Sequence, residues 1–333
     1  MKTLILSSPE DVHAGAVLHH LKKMNAQVDF FRYEEFIEHC SLLFSLGTAD
    51  HSCNLRRADG ELDLLSYTSI WHRRPGEFTP GTFIEPWISK MVEQEARSTF
   101  FGMLYAIDCI WVNFPANDTT CISKLMQLQL ANKVGLNIPE TVVTNRAEVV
   151  EKFFEQCNGQ VIYKLVSEHS SFSMPQNERP SGIPTLQLRA EDLPFIDQVN
   201  HAPHLFQRCI RKECDLRVTV VGKEIFCIRI ESQSGEGKID WRNDYTVEME
   251  PYDLPEEIKS KCLELMRRLK LNYGAIDLIL SKDGQYVFLE INCAGQYLWI
   301  EERTNLPISE SLAKLLTGNS EPLVPQSHLC QVF

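Results

Sequence analysis

The stretch FLEINCAGQYLWIEE, residues 288–302, opens as part of a core strand, Val287-Phe288-Leu289, and then breaks its apolar run with Glu290 and Asn292. On an extended chain residues i and i+2 share a face, so the Glu290 carboxylate and the Asn292 amide point the same way. Upstream, YGAIDLIL (273–280) is a second apolar strand carrying one acid, Asp277, and Lys282-Asp283-Gly284 joins the two strands as a hairpin turn. Three hard oxygen donors near a strand end suit Mg²⁺, which takes one or two carboxylates and fills its shell with water and substrate phosphates. With Leu289 and Ile291 expected on the opposite, buried face, a simple strand cap explains the pair less well.

The 333 residues, 44% hydrophobic, are enough for two or three domains with real cores. A formal charge of -12 argues against a general nucleic-acid binder, whose surface must neutralise phosphates. The opening MKTLILSSPEDVHAG has too short an apolar run and too acidic a continuation for a signal peptide, and no window approaches a membrane span. Eleven scattered cysteines without a C-x-x-C pair read as reduced thiols in a cytoplasmic protein rather than as a zinc site.

Along the chain, strands at Lys2 to Leu6, Gln27 to Arg32, Ser69 to Arg73 and Cys109 to Val112 alternate with helices at His13 to Met24 and Trp87 to Leu104. That predicts an N-terminal open α/β domain over 1–115. A central domain over 116–205 begins with a helix, Cys121 to Val134, and includes the strand Val161 to Lys164. Residues Ser167 to Ser181 are polar and aperiodic and read as a mobile loop, a candidate lid. From His204 the chain turns β-rich, with strands at His204 to Ile210, Asp215 to Val221 and Glu224 to Glu231, a helix at Pro255 to Lys270 and the hairpin, and a third domain is expected over 206–333. From Gly318 onward a weakly ordered tail is expected.

A metal that neutralises phosphates implies lysines that do the same. Lys164 closes a short buried strand, an unusual place for a solvated lysine, whereas Lys124 on a helix face reads by itself as solvated. Neither a G-x-G-x-x-G after a strand nor a P-loop is present, and G-x-S-x-G and H-E-x-x-H are missing too.

Taken in order, NDTTCISKLMQLQLANKVGLNIPETVVTN, VIYKL, LFQRCIRKECDLRVTVVG, YGAIDLIL and FLEINCAGQYLWIEE resemble the ATP-grasp fold, an α/β (α+β) architecture. More narrowly, IWHRRPGEF, QRCIRKECDLRVTVVGKEIF, KIDWRND and EIN-x-x-GQ-x-x-W resemble the graspetide synthetases. These are microviridin-type ligases that close side-chain lactone or lactam rings in ribosomally made precursor peptides. One departure is Cys293, where members of that family commonly carry proline after the asparagine.

The resemblance implies ATP and Mg²⁺, two ions, as cofactors. It places Lys124 and Lys164 on the phosphates, Gln207, Arg208 and Ile210 along the adenine, and Glu213 or, preferably, Asp215 on the ribose. Arg217 would point at the phosphates, with Asp277, Glu290 and Asn292 as metal ligands. Arg73, Arg74 and Arg242 are candidates to hold substrate carboxylates, and His72, His169 and Glu302 to assist proton transfer. A leader peptide would dock on Gly182 to Val199, where Glu191, Asp192, Phe195 and Ile196 offer an acidic and apolar groove. A homodimer acting on a precursor with leader and core, without nucleic acid or membrane, completes the expectation. The alternatives are a RimK-like or glutathione-synthetase-like ligase that adds an amino acid to a carboxylate, and a nucleotide-binding regulatory module without turnover.

Overall fold

The computed structural model describes residues 1–47, 51–81, 85–166 and 185–324. Strand β1 (Lys2–Ser7) leads into α1 (Val12–Lys23), whose start is fixed by the Asp11 carboxylate, which accepts from the His13 and Ala14 amides at 2.8 and 3.0 Å. Helix α1 buries Ala14, Val17 and Leu21, spaced three and four apart. After β2 (Gln27–Phe31) and α2 (Glu34–His39) comes an antiparallel meander, β3 (Ser41–Ser45), β4 (Ser52–Arg57) and β5 (Gly60–Asp63). Then β6 (Ser69–Arg74), α3 (Pro86–Tyr105) and β7 (Ile110–Val112) complete a parallel sheet ordered β2-β1-β6-β7. Phe31 stacks on Phe100 at 5.2 Å and Tyr33 on Phe78 at 4.6 Å, so one side of this sheet is an aromatic core.

The single helix expected over 121–134 is two helices, α4 (Pro115–Cys121) and α5 (Lys124–Lys133). Ser123 between them is extended, and its hydroxyl accepts from the Met126 amide, which starts a new helix. Strand β8 (Thr141–Thr144), helix α6 (Ala147–Gln156), strands β9 (Val161–Lys164) and β10 (Leu186–Leu188), a 3₁₀ stretch (Ala190–His201) and β11 (His204–Arg208) follow. The sheet order there is β10-β9-β11-β8, all antiparallel. The lid expected over 167–181 lies outside the described residues.

Strands β12 (Lys212–Val221), β13 (Glu224–Ile230) and β14 (Met249–Pro251), helix α7 (Glu256–Leu269) and strands β15 (Tyr273–Ser281) and β16 (Tyr286–Asn292) build a five-stranded antiparallel sheet ordered β14-β13-β12-β15-β16. Two short helices follow, α8 (Leu298–Thr304) and α9 (Ile308–Leu316). Ile5, Val17 and Val112 share one buried cluster with Val221, Tyr273 and Leu312, so the first sheet and the last are welded through α9. The tail expected from Gly318 is in fact packed as far as Val324. Leu323 and Val324 are buried, and the Val324 amide donates to Asn272 Oδ1 at 2.9 Å. No helix among the described residues is long and apolar enough to cross a membrane, and the described cysteines are all free thiols.

Two irregularities in the last sheet decide which side chains reach its open face. Between Lys212 and Cys214 the register of β12 against β15 shifts, leaving Glu213 as the extra residue. A matching shift separates Glu290 from Phe288 opposite Asp277 and Leu278, leaving Leu289 extra. The expectation that Leu289 and Ile291 share a buried face is therefore corrected: Ile291 is in the core, and Leu289 turns out beside Glu290.

Asn113, directly after β7 and 2% exposed, ties the first sheet to the hairpin. Its Oδ1 accepts from the Asn272 and Tyr273 amides at 2.8 and 2.9 Å, and its Nδ2 donates to the Tyr273 and Cys293 carbonyls at 2.9 and 3.2 Å. Asn113→Ala strands those buried backbone groups and should cost about 3 kcal/mol of stability, read as a lower urea midpoint. An unchanged midpoint would show that the clamp carries no stability.

Candidate functional site

The β9–β11 face of the central sheet and the open face of β12, β15 and β16 enclose a cleft. Segment 208–210 crosses between the sheets at its back and 238–242 lies along its side. The cleft has two ends of different chemistry. Ile162, Ile210, Ile239 and Ile279 make one part apolar; Lys164, Asp277, Glu290 and Arg242 make the other charged.

The charged end follows from strand register. Arg217 on β12 sits opposite Asp277 on β15, which sits opposite Glu290 on β16. Arg217 Nη1 donates to both Asp277 oxygens at 3.0 and 2.9 Å, and its Nη2 to the Gln296 carbonyl at 3.3 Å. Arg242 forks onto Asp240, with Nε and Nη2 at 2.8 and 2.7 Å, and reaches Glu290 Oε1 at 3.7 Å. Lys124 reaches Glu290 Oε2 at 3.9 Å while donating to the Leu165 carbonyl at 3.1 Å. A lysine in the first turn of α5 opposes the helix dipole, so its inward reach is not a helix-stabilising choice. The Lys164 side chain, on a strand paired with β11, makes no ion pair to another described residue.

These charges shape one another. Burial would push the Glu290 carboxyl up, but Lys164, Arg242, Lys124 and Arg217 together hold it below its ordinary value. Burial pushes Asp277 up against the pull of Arg217, and the Glu290 charge adds to the push. Burial also lowers Lys164, partly countered by Glu290. The result is one firmly ionised carboxylate ringed by cations.

Several expected site residues are brought together here: Lys124, Lys164, Arg217, Arg242, Asp277 and Glu290. Asp215 also lines the cleft, its Oδ2 accepting from Lys212 Nζ at 2.6 Å and Ser232 Oγ at 2.5 Å. Glu213 does not reach it. An unbroken pleat would have put Glu213 on the same face as Asp215, but the irregularity gives that place to Lys212 and turns Glu213 out to Arg229 Nη2 at 2.9 Å. Arg208 and Ile210 line the cleft, the Arg208 guanidinium pairing with Glu140 at 3.1 and 3.0 Å. Gln207 points the other way, buried, donating to Thr141 Oγ1 at 3.0 Å.

Arg73 is likewise displaced from its expected place at a substrate carboxylate. It is 3% exposed, and its Nη1 donates to the carbonyls of Ala294 and, at 3.2 Å, Gly295. It braces the turn that follows Asn292. Arg74 is exposed at the end of β6 and makes no ion pair to a described residue. Asn292 is exposed next to this turn, with Oδ1 accepting from the Ala294 amide at 2.9 Å. His72 Nδ1 pairs with Asp118 at 2.7 Å, Glu302 is exposed on α8, and His169 lies outside the described residues. The Cys293 thiol faces Cys121 and Asp118, away from the cleft. Gly295 has to be glycine: a Cβ would lie 2.5 Å from Ala275 Cβ and 2.8 Å from Arg217 Nη2. Trp299 packs on Trp241 with ring centroids 5.1 Å apart, backing the segment that carries Arg242.

Sequence reasoning missed three supports. Gln127, 1% exposed, donates to the Cys121 and Ile291 carbonyls at 2.6 and 2.9 Å and accepts from the Ile291 amide at 3.0 Å, fixing the peptide between Glu290 and Asn292. A glutamine on the buried face of α5 was the available signal. Asp240 and Lys212 orient Arg242 and Asp215 in the same way. Glu191, Asp192, Phe195 and Ile196 line a separate groove between β10 and the 3₁₀ stretch, with Phe195 72% exposed.

The donor set suits Mg²⁺. Asp277 and Glu290 are adjacent hard carboxylates on neighbouring strands. That is the arrangement of an ion completed by water and substrate phosphates rather than by an all-protein cage.

A model of the RimK-like ATP-grasp domain matches residues 121–316. Among solved structures, the macrocyclase MdnC of Microcystis aeruginosa MRC, bound with precursor peptide MdnA, is 30% identical with TM-score 0.83, covering 96% of this chain and 100% of that one. A RiPP-associated ATP-grasp ligase of Chryseobacterium gregarium, in complex with ADP and a leader and core peptide, is 28% identical with TM-score 0.87, covering 98% and 99%. A probable alpha-L-glutamate ligase of Vibrio atlanticus is 22% identical over 221 residues, 63% of this chain and 69% of that protein. With the two-sheet cleft and its register-paired acids, these likenesses establish that the chain belongs to the RimK-like ATP-grasp family and groups there with the RiPP-associated ATP-grasp ligases.

Proposed function

We propose that this protein is an ATP-dependent ligase that activates Asp or Glu side chains of a ribosomally made precursor peptide and closes ester or amide cross-links with Thr, Ser or Lys of the same peptide. The observation that carries the reading is the convergence of Lys124, Lys164, Arg217 and Arg242 on the Asp277–Glu290 pair at one end of the cleft. In this reading the isoleucine walls take the adenine, the 208–210 backbone borders its edge, and Asp215 with Lys212 meets the ribose. Lys124 and Lys164 meet the phosphates. Asp277, Glu290 and Asn292 are the residues that would hold Mg²⁺, two ions, whose chemistry is to neutralise phosphate oxygens.

A substrate carboxylate oxygen attacks the γ-phosphorus, the bond to the β-phosphate oxygen breaks, and ADP leaves with that electron pair. Arg217 and Arg242 are held in place by Asp277 and Asp240 before the reaction, so they stabilise the transferring charge without reorganising. Arg74 and Arg242 orient the incoming carboxylate. A peptide hydroxyl or amine then attacks the acyl carbon, phosphate departs, and the nucleophile's proton passes to solvent or phosphate. Arg73 positions the Asn292 turn instead of touching substrate. The groove at Glu191, Asp192, Phe195 and Ile196 takes a basic, aromatic leader segment. A cytoplasmic homodimer belongs to the same reading.

The glutamate-ligase relative favours a second reading, addition of a free amino acid to a carboxylate. Incubation with ATP, Mg²⁺ and a candidate precursor separates the two by mass. Ring closure loses one water per cross-link; addition gains a residue. A gain alone would overturn the ring-closing assignment.

Glu290→Gln should abolish phosphate release, at least about 100-fold, in a protein that still folds by circular dichroism, since it removes the ionised member of the pair; normal turnover would remove Glu290 from the site. Lys164→Ala should raise the ATP dissociation constant about tenfold or more. Because burial lowers the Lys164 pKa from the ordinary lysine value, its charge is lost as pH rises through the lowered value. ATP affinity of the wild type should therefore fall on the alkaline side before that of an ordinary lysine site would, and Lys164→Ala should lack that step. Identical alkaline profiles would place the phosphate cradle elsewhere.

A further inference from the structure

Beside the nucleotide cleft lies a second concavity with an unusual lining. Arg211, Lys212, Lys238 and Lys282 surround it, with Gln233 and Ile239, and no carboxylate among the residues that line it. Lys212 is neutralised by Asp215 at 2.6 Å. Arg211, Lys238 and Lys282 are exposed and make no ion pair to any described residue. Backbone geometry holds two of them side by side, since the Lys282 amide donates to the Arg211 carbonyl at 3.0 Å. Three like charges around one hollow, in a chain of net charge -12, repel one another, and an anion in the hollow relieves that repulsion.

Ile239 connects this hollow to the rest of the surface. It lines the nucleotide cleft, the hollow, and the acidic, apolar groove of Glu191, Asp192 and Phe195. A peptide lying in the groove and crossing Ile239 thus passes from an acidic surface onto a basic one. We propose that the Arg211–Lys238–Lys282 hollow is a binding site for a carboxylate-rich segment of the substrate peptide, adjacent to the segment held in the groove and distinct from the carboxylate that reacts. The assignment rests on the reading of a peptide substrate, but its test needs no turnover.

Binding of a fluorescein-labelled ten-residue peptide of alternating Glu and Ser to the full chain is followed by anisotropy at low and at physiological salt. The wild type should bind it, more weakly as salt rises. The Arg211→Glu/Lys282→Glu variant, altered at two exposed positions that line only the hollow, should lose at least tenfold in peptide affinity while binding ATP as the wild type does. The peptide with Gln in place of Glu should not bind. Equal peptide affinity in wild type and double variant would overturn the proposal. Displacement of the labelled peptide by micromolar inorganic phosphate would also overturn it, by showing a small-anion site. Failure of the wild type to join any peptide, with these binding differences intact, would count against the ligase reading and leave this site standing.

Discussion

The pair formed by Arg217 and Asp277, drawn against Glu290 by strand register, is the constraint around which the rest of the molecule is organised. A buried ion pair gains little over well-packed apolar residues, because desolvation of both charges offsets their attraction. Removing one member, however, leaves an uncompensated charge at large cost. A sheet that places three such groups side by side is therefore held for what the groups do, and the surrounding structure supplies the hydrogen bonds that make the arrangement tolerable.

Those supports come from distant parts of the chain and converge on a few residues of backbone. Gln127 holds the Ile291 peptide, Asn113 holds Tyr273 and Cys293, and Arg73 holds the Ala294 and Gly295 carbonyls. Arg73 and Ala294 are 221 positions apart in sequence, so through Arg73 the N-terminal sheet fixes the geometry of the site. The shared core of Ile5, Val112, Tyr273 and Leu312 makes that bracing rigid.

Asp277, Glu290 and Lys164 were legible in the sequence because each interrupts an apolar strand, and a charge in such a run has to be accounted for by its surroundings. Asp215 could be preferred over Glu213, but the physical reason was hidden: alternation puts both on one face, and only the irregularity at Lys212–Cys214 separates them. Leu289 failed for the same cause, since a period-two argument cannot see an extra residue. Arg73 failed because orientation at a strand end depends on partners far away in the chain. The β3–β4–β5 meander went unread because Leu42 and Leu43 are both exposed, which erases the alternation that marks a strand.

The central claim is that the charged end of this cleft lets a peptide side-chain carboxylate attack ATP. Its most direct test uses a precursor peptide whose Asp and Glu side-chain carboxylates carry ¹⁸O, with mass analysis of the phosphate released. The account predicts one ¹⁸O in the phosphate for every cross-link formed, because the oxygen that attacks phosphorus leaves with it. Cross-linked peptide accompanied by unlabelled phosphate would contradict it.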